Sequence, residues 1–260
     1  MKRTRIFPKP ETFPEEFRQL LNCPVYDSSC SKIARVYYLD NGPGYYLKTA
    51  ATGTLEKEAK LTAFFHEKGL AAQVLAYSSL AADWLLTERV PGEDCTLQTY
   101  REDPLRLCDT LGELLAMLHS QDPTSCPVPN RTSDYLEAAR NGYLSGSFDP
   151  GHFPLSWRFS SREEAWNALE ANRKYLKSDT LIHGDFCLPN IMLDNWRFSG
   201  FIDLDHSGIG DRHVDLFWGM WSLWYNLKTD AYFARFLDAY GRKNFSPDAL
   251  RAVAAAEVFG

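Results

Sequence analysis

The order in which backbone periodicities follow one another limits the fold of this chain more than any single residue does. From Lys32 to Thr49 the sequence reads "KIARVYYLDNGPGYYLKT". Two β-branched and aromatic runs around a Gly-Pro-Gly turn signal predict a hairpin. Next, "LEKEAKLTAFFHEKG" sets Leu61, Phe64 and Phe65 at helical spacing and stops at Gly69. "QVLAYSSLAADWLLTERV" returns to short extended runs. After "VPGED" the period becomes helical: Leu111, Leu114, Leu115 and Leu118 of "DTLGELLAMLHS" share one face. "SREEAWNALEANRKYL" and the stretch from Asp211 to Tyr240 continue in that pattern. Strands first and helices afterwards predict an α+β chain in two lobes. We expect a β-rich N-terminal lobe over residues 1–91, a hinge at Thr87 to Gly92, and a larger helical C-terminal lobe over 92–260. A cleft between lobes is a common place for a small-molecule site.

Short apolar runs, "TLIHGD", "NIMLD" and "FSGFIDLD", interrupt the helical part. They belong to "HGDFCLPNIMLDNWRFSGFID", which groups Asp185, Asn190 and Asp203. Carboxylates and amides this close are costly in an interior unless they satisfy one another or a ligand does. Asp185 follows Gly184, which permits an unusual turn, and a carboxylate on such a loop can take the proton of a substrate hydroxyl. The Asn190 carbonyl and the Asp203 carboxylate are hard oxygen ligands suited to Mg²⁺, which prefers one or two carboxylates plus phosphate oxygens. One base and two magnesium ligands describe phosphoryl transfer.

Other residues read as scaffold. His183 and Gly184 suit a hydrogen-bonded core position, and His119 a helix end. Asp211 and Asp215 suit a helix start, where acids are favoured. Trp218, Trp221 and Tyr225 have the spacing of a core stripe, with a sugar-stacking or lipophilic wall as the functional reading.

Composition narrows the partners. Among 260 residues the formal charge is −6, against the clustered Lys and Arg that nucleic acid requires. The start "MKRTRIFPKPETFPEEF" is basic but lacks an apolar core, unlike a signal peptide. "VDLFWGMWSLWYNL" is interrupted by Asp215, Ser222 and Asn226 and is too short to span a bilayer. Six cysteines form no C-x-x-C pair, which points to reduced thiols in a cytoplasm. The expectation is a cytoplasmic protein, monomer or weak homodimer, acting on a small molecule without nucleic acid or membrane.

The pattern H-G-D-x-x-x-x-N followed by I-D resembles the protein-kinase catalytic loop and its metal-binding aspartate. Lys48 on "YYLKT" matches the strand lysine of that fold, and Glu58 its helix partner. More narrowly, the chain resembles the aminoglycoside 3′-phosphotransferases, from "YDSSCSKIARVYYL" through "DWLLTERVPGED", "LHSQDPTSCP" and "HGDFCLPNIM" to "AAEVF". The resemblance implies a bilobal protein-kinase-like fold and transfer from ATP, with Mg²⁺, to the 3′-hydroxyl of an aminoglycoside antibiotic, a kanamycin-kinase type of resistance. It implies Asp185 as catalytic base, Asn190 and Asp203 as metal ligands, and Lys48 on the phosphates, oriented by Glu58. Arg89 and Val90 would contact adenine through their backbone with Thr87 behind. Ser31 and Lys32 lie on "DSSCSKIA", the loop that would cover the nucleotide. Asp149, Tyr225, Asn226, Glu257 and the terminal Gly260 would meet the acceptor.

The chain also departs from that family. Asp205-His206 stands where Gly-Arg is usual, Trp224, Tyr225 and Asn226 where acids are usual, and Ala256 where an acid is expected. These departures keep open a kinase of another hydroxylated amine or sugar. A catalytically silent nucleotide-binding module is a second alternative. A third takes His183, Asp185, Asp203, Asp205, His206, Asp211 and His213 as a metal-hydrolase cluster, and leaves Lys48 and Glu58 without a role.

Overall fold

The computed structural model describes residues 3–151 and 153–260. The chain divides into two compact units, one comprising the residues up to Glu93 with Met192–Asp205, the other Asp94–Ile191 with His206–Gly260.

In the first unit, strands β1 (Thr4–Ile6), β2 (Val25–Asp27), β3 (Ala34–Leu39), β4 (Tyr45–Ala50), β5 (Val74–Ser79) and β6 (Asp83–Glu88) form one antiparallel sheet. Its order is β1-β2-β3-β4-β6-β5. The expected hairpin is β3–β4, and its register sets Tyr37 opposite Leu47 and Val36 opposite Lys48. Strand alternation decides which way Lys48 points. Leu47 packs on one face with Phe13, Phe17, Trp84 and Leu86. On the other, Ala50 and Leu85 pack with Leu55 and Ala59, where the helix Glu56–Glu67 begins. Lys48, next to Leu47 and opposite Leu85, shares the helix side. The helix buries Leu61, Phe64 and Phe65 as its spacing predicts, and Gly69 follows with φ +71°.

Met192–Asp205 returns to this unit as a β-hairpin built on Ile191–Asp194 and Arg197–Phe201. The Phe201 N–H donates to the Leu70 carbonyl at 2.7 Å, and Ala71 bridges Phe201 in parallel. Gly92 lies against this hairpin so closely that a Cβ would sit 2.2 Å from the Leu193 carbonyl oxygen. The hairpin end at Phe201 thereby delivers Asp203 to the foot of the helix.

The second unit is helical: Pro104–His119, Arg131–Ser145, Arg162–Asn172, Arg212–Leu227, Phe233–Tyr240 and Pro247–Glu257. Side-chain caps from Asp103, Ser161, Asp211 and Ser246 accept the first free N–H groups of four of them. Leu107, Leu111, Leu115 and Leu118 are buried, and Leu114 sits at the margin. The helical stretch expected from Asp211 to Tyr240 breaks at Lys228, which ends one helix with φ +60°. A two-stranded antiparallel pair, Thr180–Ile182 with Gly208–Gly210, aligns Ile182 with Gly208. His183 to Asp185 follows directly from its first strand. No helix among the described residues is long and apolar enough to cross a membrane.

Candidate active site

In the first unit, Lys48, Glu58 and Asp203 converge. The Lys48 ammonium donates to both Glu58 oxygens at 2.9 and 2.8 Å and to Asp203 Oδ1 at 3.0 Å. Glu58 is buried, whereas the Asp203 carboxylate is exposed. Burial alone would lower the Lys48 pKa, but the Asp203 and Glu58 carboxylates outweigh it and hold the ammonium well above the usual lysine range. Asp203 adopts φ +57°, a left-handed conformation that Asp tolerates better than most residues. A charged amine flanked by two acids, one of them exposed, fits a polyphosphate and its divalent cation better than it fits a merely structural ion pair.

At the end of β6 the Arg89 N–H donates to the Gly44 carbonyl at 3.0 Å, and its guanidinium to the Gly92 carbonyl. Thr87 is half-buried between Tyr46 and Val74, and Val90 is buried. Ser31 and Lys32 are exposed on the loop before β3. That loop lacks glycine and is braced by serine oxygens: Ser29 Oγ accepts from Val36 N–H and Ser31 Oγ from Ile33 N–H.

In the second unit, Asn190 donates from Nδ2 to the Asp185 carbonyl at 3.0 Å and to its Oδ2 at 2.8 Å. The amide nitrogen is thus committed to orienting the carboxylate, and the Asn190 carbonyl oxygen is chemically able to accept a cation. Gly184 adopts φ +83°, and a Cβ there would lie 2.0 Å from the His206 carbonyl oxygen. Only glycine fits between these backbones. Arg131 holds the same carbonyl through Nε at 2.8 Å and donates to His206 Nδ1 at 2.9 Å.

Asp215 is more than the helix-start acid expected from its position. It is fully buried, and its oxygens accept the His183 and Gly184 N–H groups, each at 2.7 Å, and His119 Nε2 at 3.1 Å. It clamps the loop that carries Asp185. Asp211 does cap its helix, accepting from the His213 N–H. His119 ends its helix, as expected, but is buried between Asp215 and the Tyr240 hydroxyl at 2.8 Å. Burial holds the His119 pKa below its ordinary value, against the pull of Asp215. Because the Asp215 carboxylate can only accept, the ring donates to it from Nε2, and Nδ1 faces the Tyr240 hydroxyl.

Glu257 Oε1 accepts the Tyr135 hydroxyl at 2.9 Å and the Trp218 indole N–H at 3.1 Å. Burial pushes its carboxyl up to about 7, the two donors offsetting only part of the effect. The Asn226 amide turns back onto the Ser222 carbonyl of its own helix. Asp149 is exposed, its Oδ1 accepting from the Gly151 N–H, and Gly260 is exposed at the chain end. The stripe read as core is not core: Trp218 and Trp221 are half-buried and Tyr225 is 52 % exposed. Helical spacing marks a shared face without saying what covers it. Among the described residues, no three His, Cys, Asp or Glu side chains are grouped to hold a metal ion, so the hydrolase cluster does not form.

Residues 32–253 match the phosphotransferase enzyme family, APH. The chain belongs to that family. It is 44 % identical over 254 residues to a "Probable aminoglycoside 3'-phosphotransferase" of Lactococcus lactis, covering 96 % of both chains. An aminoglycoside 3'-phosphotransferase of Niallia circulans is 27 % identical, over 92 % of this chain and 94 % of its own. The crystal structure of aminoglycoside-3'-phosphotransferase of type VIII superposes with a TM-score of 0.73 at 27 % identity, covering 90 % of this chain and 91 % of that one. The fold is the bilobal α+β, kinase-like fold of these phosphotransferases, as expected.

Proposed function

We propose that this phosphotransferase moves the γ-phosphoryl group of ATP, with Mg²⁺, to a hydroxyl of an aminoglycoside, the 3′-hydroxyl being the position named for its relatives. The single observation that carries the reading is the Lys48–Glu58–Asp203 cluster, 2.8 to 3.0 Å across each contact, in a chain 44 % identical to a protein of that name. Residues 1–91 are assigned to nucleotide binding and 92–260 to the acceptor and catalysis, with the 192–205 hairpin contributing Asp203.

In this reading Lys48, kept in place by Glu58, offsets charge on the α- and β-phosphates. Thr87, Arg89 and Val90 serve the adenine, and Ser31 and Lys32 the covering loop. The donor set of Asp203 and Asn190, one carboxylate and one amide carbonyl, is the oxygen chemistry that magnesium accepts. Bound there, the ion would neutralise phosphate charge. Asp185, oriented by Asn190, accepts the proton of the acceptor hydroxyl as its oxygen forms the new P–O bond and the bond to ADP breaks. Asp149, Tyr225, Asn226, Glu257 and Gly260 are assigned to the acceptor side.

The test is ADP release by the purified chain with ATP, magnesium and a panel of aminoglycosides, amino alcohols and sugars, beside growth of a susceptible bacterium expressing it. Release and growth with aminoglycosides are expected. Release only with another amino alcohol or sugar would transfer the assignment to that acceptor. ATP binding without release on any acceptor would leave a silent module.

A further inference from the structure

Tyr225 and Glu257, assigned above to the acceptor side, belong to a longer line of side chains that begins beside the catalytic loop. The Leu188 N–H donates to Ser222 Oγ at 2.9 Å and the Cys187 thiol to the Trp218 carbonyl at 3.9 Å, so the loop rests on the helix Arg212–Leu227. From Trp218 the rings continue along that helix. Trp218 and Trp221 meet edge-on at 5.2 Å, and Trp221 and Tyr225 lie 5.1 Å apart, 11° from parallel. Lys228 Nζ closes the line 4.3 Å from the Tyr225 centroid. At the loop end, Trp218 holds Glu257 through the oxygen that Tyr135 also takes.

Charge along this line is unusual for a surface meant to hold a polyamine. The helix has one acid, Asp215, buried and spent on the catalytic loop. Glu257 has one oxygen committed to two donors. The far end carries an ammonium. Lys228, which caps the helix, lies ten positions beyond Trp218, about 15 Å at 1.5 Å per residue, the length of a small oligosaccharide. Along this line an ammonium group loses near Lys228 and gains little from Glu257, whose Oε1 already serves two donors. Carbohydrate C–H surface gains from aromatic side chains whatever its charge.

We infer that this aromatic line selects among aminoglycosides for those with fewer ammonium groups, with Tyr225 and Lys228 as specificity-determining residues. The inference rests on the aminoglycoside reading above. It is tested by ADP release from the full chain with neomycin and paromomycin, which differ by one amine replaced with a hydroxyl. Wild type is expected to give the higher kcat/KM with paromomycin. Lys228→Glu should reverse the order, changing the ratio about tenfold, and added salt should shrink that change. Tyr225→Ala should raise KM for both acceptors about three- to tenfold with KM for ATP unmoved, and Tyr225→Phe should restore it. Both positions are exposed, and thermal melts will check that the variants fold.

A wild-type preference for neomycin, a ratio untouched by Lys228→Glu, or an acceptor KM untouched by Tyr225→Ala overturns the inference while the phosphotransferase reading stands. No ADP release with any aminoglycoside overturns both.

Discussion

Lys48 and Asp203 lie 155 positions apart in sequence and 3.0 Å apart in space. The contact is produced by two unrelated devices, the alternation of β4 and the docking of the Phe201 N–H on the Leu70 carbonyl. It also brings an exposed acid onto an amine that a buried acid, Glu58, already holds.

Removing the amine therefore has two effects. In Lys48→Ala, Glu58 becomes a buried carboxylate without its cation, which costs about 3 kcal/mol of stability. In the role proposed for Lys48 at the phosphates, loss of its charge should lower kcat about 10²- to 10³-fold. Urea unfolding and ADP release measure the two separately. A variant with native stability and native turnover would remove Lys48 from the site.

The placement of Asp185, the proposed base, depends on a glycine. In Gly184→Ala the new Cβ would meet the His206 carbonyl oxygen at 2.0 Å, in a backbone with φ +83° that alanine also resists. The loop must shift, and a displacement of about 1 Å at reacting groups costs about 100-fold in rate. Asp185→Ala should lose about 10²- to 10⁴-fold, the usual worth of a general base. In both variants nucleotide affinity, read by calorimetry, is expected to hold. Equal turnover in Gly184→Ala would show that the carboxylate needs no such precision.

The loop is also held from below. In Asp215→Asn a single amide oxygen must serve three donors, the His183 and Gly184 N–H groups and His119 Nε2. Its own NH₂ must face one of them. Buried donors left unpaired cost about 1–3 kcal/mol each. The expected signature is faster hydrogen exchange at His183 and Gly184 and a lower kcat with KM for ATP unchanged. Exchange at wild-type rates would rule out the clamp.

These three cases show which parts of the site were legible in the sequence. Lys48, Glu58, Asp185, Asn190 and Asp203 were singled out by type, order and spacing, and the structure brings Lys48 onto Glu58 and Asp203 and Asn190 onto Asp185. The clamp at Asp215 is less visible because two of its three partners are backbone N–H groups about thirty positions earlier, which carry no side-chain signature. One clue was present: a lone acid inside "VDLFWGMW" must be paired, since a buried carboxylate without donors is prohibitive. The stripe Trp218, Trp221, Tyr225 misleads for the opposite reason. Periodicity locates a face, and burial depends on what packs there. Tyr135 gave no signal at all, because its tie to Glu257 spans 122 positions and follows no motif.

Glu257 links that missed tie to a pH dependence whose sign can be worked out. Burial raises its carboxyl from an ordinary 4.5 to about 7 in the folded chain. Between those values the folded state binds more protons than the unfolded state, so stability falls as pH rises across the window. This contribution is fully present below about pH 4.5 and lost as pH passes about 7. Glu257→Gln keeps an oxygen for the Tyr135 hydroxyl and the Trp218 indole N–H but cannot ionise. Near pH 8 it should melt higher than wild type, by a few degrees. Near pH 5, where wild type is mostly protonated at this position, the two melting curves should approach each other. Thermal melts of both proteins from about pH 5 to 8 provide the measurement. A constant difference across that range would mean that Glu257 stays ionised throughout, and that the hydroxyl and the indole satisfy its charge completely.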